Sequence, residues 1–161
     1  MFLSEYNIKN NINLKKGTTQ NKLVNKSIKL FSYNGGKSVE ADSTATYGNA
    51  WAEGDIVGVE FDSDNGTINF SKNGSFQGDI SLTAAQQAKE WFPFVGMGGA
   101  TSAEIGIFNF GQDSSFAGAK TAQGNADGNG YGDFYYSPPS GALALCSANL
   151  PLAAAIDPAE T

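Results

Sequence analysis

The sequence predicts an all-β fold of short antiparallel strands, and three observations predict it. The first is composition. Of 161 residues, 20 are glycine, and there are 11 Phe, 6 Tyr and 2 Trp. Glycine exceeds its usual level of ~7 %, and with many aromatics and few charges it suits strands closed by tight turns. The second is period-two alternation, clearest over residues 55–62, 67–72 and 103–110. The third is the placement of Asn-Gly pairs. Asn34-Gly35, Asn65-Gly66 and Asn73-Gly74 lie between apolar runs, where a hairpin needs residues that tolerate positive φ.

Taken in order, residues 1–25 are rich in Asn and Lys and read as a polar, weakly structured lead-in. Residues 26–136 read as the β domain, and residues 137–161 as a C-terminal extension whose last part, 151–161, has linker composition. Within the domain, Ile28 and Leu30 alternate with Lys29, Phe31 and Tyr33, and Asn34-Gly35-Gly36 turns the chain. Residues 55–62 lead through Ser63-Asp64-Asn65-Gly66 into Thr67-Ile68-Asn69-Phe70-Ser71-Lys72. Asn73-Gly74 then opens a third strand at Ser75-Phe76-Gln77-Gly78, completing a meander. One short helix is expected over residues 84–90, where good helix formers follow the capping candidates Ser81-Leu82-Thr83. Residues 91–97 read as a buried strand with Pro93 at its start or at an edge. The strand at 103–110 is apolar on both faces and is expected to be central. Residues 111–133 form a long loop, of a length that is either functional or mobile. A last strand is expected at 133–136, before Pro138-Pro139.

Several function classes recede on chemistry. The net charge is −6, and the ten basic residues form no block, so no nucleic-acid partner is expected. There is no histidine, which removes the commonest general base and zinc ligand. Cys146 is the single cysteine and reads as a small buried hydrophobe. No apolar stretch reaches ~18 residues, so no membrane insertion is expected. Glu53, Glu60, Glu90 and Glu104 show no convergent spacing for a glycosidase pair. The expectation is a protein with no catalytic residues and no cofactor.

The ordered combination of landmarks resembles a SPRY domain. The run Trp51-Ala52-Glu53-Gly54-Asp55-Ile56-Val57-Gly58-Val59 is followed by Asp62, Asn65-Gly66, Phe70 and Asn73-Gly74. Phe92-Pro93-Phe94-Val95 and Asn109-Phe110-Gly111-Gln112 fall where the family carries its next landmarks. The resemblance covers roughly residues 31–112. It implies a concanavalin-like jelly roll, an antiparallel β-sandwich with an irregular C-terminal extension, which binds through loops and is not an enzyme. The first 25 residues depart from the family pattern, leaving its N-terminal strands diverged or outside this chain. A second resemblance, of Tyr135-Tyr136-Ser137-Pro138-Pro139-Ser140-Gly141 and the residues after it, is to the C-terminal extension of SPRY-type proteins of marine bacteriophages. That resemblance implies a virion structural protein, such as a tail fibre, spike or capsid decoration. Its implied partners are a host-surface glycan or protein, or other virion subunits, with a homo-oligomer among the implied assemblies.

Three constellations are the candidate sites. Tyr33, Tyr47 and Tyr131 lie beside turns and carry a polar tip, so they are the ligand-binding candidates. Trp51, Trp91, Phe70, Phe94 and Phe108 read as core at strand spacing. Asp62, Asp64 and Asn65 crowd a turn, but hairpin chemistry explains them. Asn125, Asp127 and Asn129 follow calcium-loop spacing, yet Tyr136 stands at the twelfth position, where a bidentate Glu is needed. A flexible glycine-rich loop without metal is the preferred reading, under which loss of the Asp127 carboxylate changes nothing measurable.

Overall fold

The computed structural model describes residues 2–9, 28–30, 34–40, 45–91 and 105–150. The strands are β1 (Phe2–Lys9), β2 (Ile28–Leu30), β3 (Lys37–Val39), β4 (Ile56–Asp62), β5 (Thr67–Lys72), β6 (Ser75–Ser81), β7 (Ile105–Asn109) and β8 (Leu143–Ala144). One helix, α1 (Ala84–Gln87), and a single 3₁₀ turn, Ser147–Asn149, complete the regular structure of the described residues. The sheet runs β6-β5-β4-β1-β7, with β8 paired to β1, and β2-β3 form a separate pair. All pairings are antiparallel except the short β1–β8 contact. The domain is therefore mostly β and antiparallel, as composition and alternation predict.

The meander forms as the turn residues dictate. Lys72 pairs with Ser75 across Asn73 and Gly74, both at positive φ (+49° and +79°), as a two-residue hairpin turn requires. The first turn is longer, because Asp62 pairs with Thr67 and leaves four residues between them. The Asp62 carboxylate accepts the N–H groups of Asp64 and Asn65 (both 3.0 Å), and Gly66 closes the loop at φ +63°. Strand β6 continues to Ser81 because a bulge beside Gly78 (φ +111°) breaks its alternation.

One sheet face carries Val57, Val59, Phe61, Ile68, Phe70 and Ile80, and Leu82 joins them. Ile28, Leu30 and Val39 of β2-β3 pack on this cluster, as do Tyr47, Trp51 and Trp91. The helix is shorter than the expected 84–90. Thr83 and Gln86 form a capping box, which fixes the start. The Trp91 indole N–H donates to the Gln86 carbonyl (3.0 Å), while Lys89 pairs with Glu40, so the chain is drawn off the helical path.

Three sequence expectations are corrected. Residues Phe2–Lys9, assigned to a weakly structured lead-in, form β1 between β4 and β7. Pairing on both sides overrides the weak strand propensity of this Asn- and Lys-containing segment. The last strand expected at 133–136 is only an isolated bridge between Asn125 and Phe134. The stretch after Gly111, read as a loop and then an irregular extension, is folded through residue 150 and holds Phe116, Phe134, Ala142 and Ala144 at 0 % exposure, while the linker expected over 151–161 lies outside the described residues. The remainder of the lead-in and the predicted strand at 92–97 lie outside the described residues.

Candidate functional site

Most of the family-like landmarks prove to be joints. The Asp55 carboxylate accepts from the Ala52 N–H (2.8 Å), from Asn73 Nδ2 (2.7 Å) and from Lys72 Nζ (3.1 Å). Asn73 Oδ1 in turn accepts the Ile56 N–H (2.9 Å). Burial pushes the Asp55 carboxyl upward, but Asn73, Ala52 and Lys72 outweigh it and hold it below the usual carboxylate range. Gly54 (φ +83°) offers its carbonyl to Lys120 Nζ (2.7 Å). Gly74 is required twice over, since a Cβ there would lie 2.7 Å from Tyr136 Cδ1. Trp51 packs on the core, with its indole nitrogen buried and unpaired among the described residues.

The run Asn109-Phe110-Gly111-Gln112 turns the chain out of β7. Asn109 is fully buried. Its Oδ1 accepts the N–H groups of Gly111 (2.8 Å), Gln112 (2.9 Å) and Asp113 (3.1 Å), while Nδ2 donates to the Asp133 carbonyl (2.8 Å). Ser114 Oγ, also fully buried, accepts from Gln123 and Gly124. Phe110 stacks on Phe108 at 6.1 Å.

The calcium candidates are a hydrogen-bond hub. Asp127 is 7 % exposed. Its Oδ1 accepts the N–H groups of Asn129 and Tyr131 (both 2.9 Å), and its Oδ2 accepts the Ala144 N–H (2.8 Å) and Asn149 Nδ2 (2.7 Å). Burial raises this carboxyl, but the four donors prevail and its pKa is lowered. Asn125 Nδ2 donates to the carbonyls of Phe134 and Tyr135, and Asn129 Nδ2 donates to Asn149 Oδ1. The two Asp127 oxygens face N–H donors, an arrangement that competes with any cation. The expectation that Asp127 is dispensable is overturned on the same ground.

The ligand-binding tyrosines are not brought together by any contact of the described residues. Tyr33 lies outside them. Tyr131, in the segment after Gly111, is exposed, at 44 %. Tyr47 lies along the edge of β6, where the bulge leaves the Phe70 N–H without a ladder partner. The Tyr47 hydroxyl accepts that N–H (3.1 Å) and donates to the Gly78 carbonyl. Its ring meets Phe70 edge-on at 6.2 Å, and Lys37 Nζ sits 4.9 Å above it, so one face is already occupied. Burial, outweighing the Phe70 bond, raises the Tyr47 pKa. Tyr47→Phe is expected to cost about 1–3 kcal/mol by leaving the part-buried Phe70 N–H without its acceptor; a urea titration showing no loss would contradict the assignment.

The sheet face opposite the main core is divided. One half carries Gly58, Ser71 and Phe76, which lie against Tyr136, Ser137 and Pro139 of the extension. The other half carries a cross-strand row in which Glu60 pairs with Asn69 and Asn69 with Asp79. Asn69 Nδ2 donates to Asp79 Oδ1 (2.8 Å). Burial first, then the charges of Asp79 and Asp62, raise the Glu60 pKa. This acidic row was missed in the sequence because only the strand register aligns residues 60, 69 and 79; Glu60 alone was singled out.

The profile of the SPRY domain matches residues 9–113. Protein ssh4 of Aspergillus fumigatus is 40 % identical over 70 residues, which are 44 % of this chain and 13 % of that protein. The chain thus spans a small part of the length of the curated relative it matches. That relative comes from a fungus, which overturns the virion location expected from the C-terminal stretch.

Proposed function

The chain belongs to the SPRY domain family, and from that premise we propose that it is a non-catalytic module that binds a partner protein through the acidic half of its sheet. SPRY domains are generally non-catalytic interaction modules. In this reading β2-β3 belong to a second antiparallel layer over Val57, Ile68 and Phe70, giving the two-layer sandwich implied by the family resemblance. The observation that carries the reading is the row of Glu60, Asn69 and Asp79, on the half of the face away from the packed residues of the extension.

That row has the chemistry to receive a Lys- or Arg-bearing segment. Asp79 and Asp62 burden Glu60 with unfavourable charge, and a cation from the partner relieves it. A hydrolase reading is weaker, because Asp55, Asp62 and Asp127 are each occupied by N–H donors. A glycan reading has less support too, since the Tyr47 ring is capped by Lys37.

The test is selection from a random displayed peptide library on the full chain. Enrichment of basic peptides is expected, with binding that falls as salt rises and weakens about tenfold in Asp79→Asn, the order of a charge-assisted bond. Peptides with no basic bias, or binding indifferent to Asp79→Asn, would contradict the assignment.

A further inference from the structure

We infer that a Lys- or Arg-bearing partner binds as an added strand, antiparallel to β6 along residues 79–81. The inference rests on the acidic half of the sheet receiving a basic segment, and it names how that segment is held. Strand β6 ends the order β6-β5-β4-β1-β7, so no strand of the described residues flanks its outer side. The register tells which backbone groups face that side. Thr67 pairs with Ser81, Ile68 with Ile80 and Asn69 with Asp79, and the Leu82 N–H donates to the Gly66 carbonyl (2.8 Å). Bonded and non-bonded pairs alternate along an antiparallel ladder, so Leu82 with Gly66 and Ile80 with Ile68 are bonded pairs. The N–H and C=O groups of Asp79 and Ser81 therefore point away from β5. No hydrogen bond among the described residues reaches them. Both residues are exposed, whereas Ile80 between them is buried.

The open run has fixed ends. Before it, the Tyr47 hydroxyl donates to the Gly78 carbonyl and the Asn49 N–H donates to Gln77 Oε1 (3.0 Å), so these residues already line that part of the edge. After it, Leu82 bonds back to Gly66 and Thr83 caps α1. Charge complementarity selects the occupant. In antiparallel addition the residue opposite Asp79 exchanges both backbone bonds with it and sets its own side chain on the same face. That face carries Asp79, Asn69 and Glu60 in one cross-strand row, and Asn69 Nδ2 holds Asp79 Oδ1 (2.8 Å). A Lys or Arg at the opposing position meets the Asp79 carboxylate. A second copy of β6 would instead bring another Asp79 to the same edge, and like charges there are repelled. Charges and bulges are how sheet edges refuse strands of their own kind, and β6 has both, Asp79 and the bulge beside Gly78. In this mode main-chain bonds give affinity and alternate side chains give specificity.

The experiment titrates the full chain with a synthetic peptide of sequence Thr-Lys-Thr-Lys-Thr, followed through the backbone amide resonances. The peptide is expected to shift the amides of Asp79 and Ser81 and to slow their exchange with solvent. Two N-methylated forms separate backbone from side chain. With its lysine side chains on the acidic face, the peptide turns its lysine N–H groups to β6 and its threonine N–H groups to solvent. Methylating both lysine nitrogens should therefore weaken binding about tenfold, the order of two lost hydrogen bonds, whereas methylating two threonine nitrogens should leave it unchanged. Equal binding by the two methylated forms overturns the added strand, because the lysines would then bind by charge alone, and leaves the acidic half as the partner site. No binding by this or any other basic peptide overturns both. A Thr-Glu-Thr-Glu-Thr peptide that binds as well as the lysine peptide overturns the charge selection, and with it the inference.

Discussion

Asp127→Ala is expected to lower the stability of the folded chain by about 3–5 kcal/mol, since each stranded buried donor costs ~1–3 kcal/mol and the losses overlap. The carboxylate accepts four bonds that join residues 127–131 to β8 and to the 3₁₀ turn, so its loss frees the whole end of the extension. Asp127→Asn retains the shape but turns an amide NH₂ toward N–H donors, and should cost somewhat less. The same carboxylate sets a pH dependence. Its pKa is lowered in the folded state, so its contribution is fully present above the unfolded carboxylate value of ~4 and is lost as pH falls through the folded value. Urea midpoints should therefore converge for wild type and Asp127→Asn under strongly acid conditions. A difference near zero at neutral pH would refute the hub.

Phe134→Ala is expected to cost about 3–5 kcal/mol, in the range of large buried aromatic truncations. Phe134 is 0 % exposed and packs with Ala142, Ala144 and Phe76. Its surroundings are poorly able to collapse into the vacated space. Gly111 and Gly132 face the ring at positive φ (+102° and +94°), and a Cβ at Gly132 would stand only 2.7 Å from Phe134 Cε2. The wall of the cavity is thus backbone held in conformations that only glycine adopts freely. A shift in urea midpoint with an unchanged slope would mark a loss of stability alone. Unaltered unfolding would mean that Phe134 does not seat the extension.

The meander was legible because turn chemistry and alternation agree there. Asn73 and Gly74 take the positive φ values that their sequence announces, and β5 runs as Thr67–Lys72, as its alternation predicts. The far end of β6 was illegible, because the bulge places Phe76 and Asp79 on one face with an odd spacing. The extension was misread for a different reason. Its order comes from side chains binding backbone, at Asn109, Ser114 and Asp127, which leaves no hydrophobic period to detect. Asp127 resembled a calcium ligand because oxygen-rich loops and Asx turns draw on the same residues. The family landmarks Asp55, Asn73 and Asn109 were found by their pattern, and the structure shows them as joints between segments. The acidic row was hidden because register, not sequence distance, brings Glu60 beside Asn69 and Asp79.

The segment 111–150 folds as one unit with the sheet, covers one half of its face with Tyr136, Ser137 and Pro139, and leaves the acidic half for the proposed partner. Native-state hydrogen exchange of the full chain tests this most directly. The amides of Ala144, Tyr131 and Phe134 are predicted to exchange with protection close to that of β4 and β5, through the same global opening. Rapid exchange across residues 111–150 beside a protected β4–β5 core would contradict it, because the extension would then open by itself and uncover Gly58, Ser71 and Phe76.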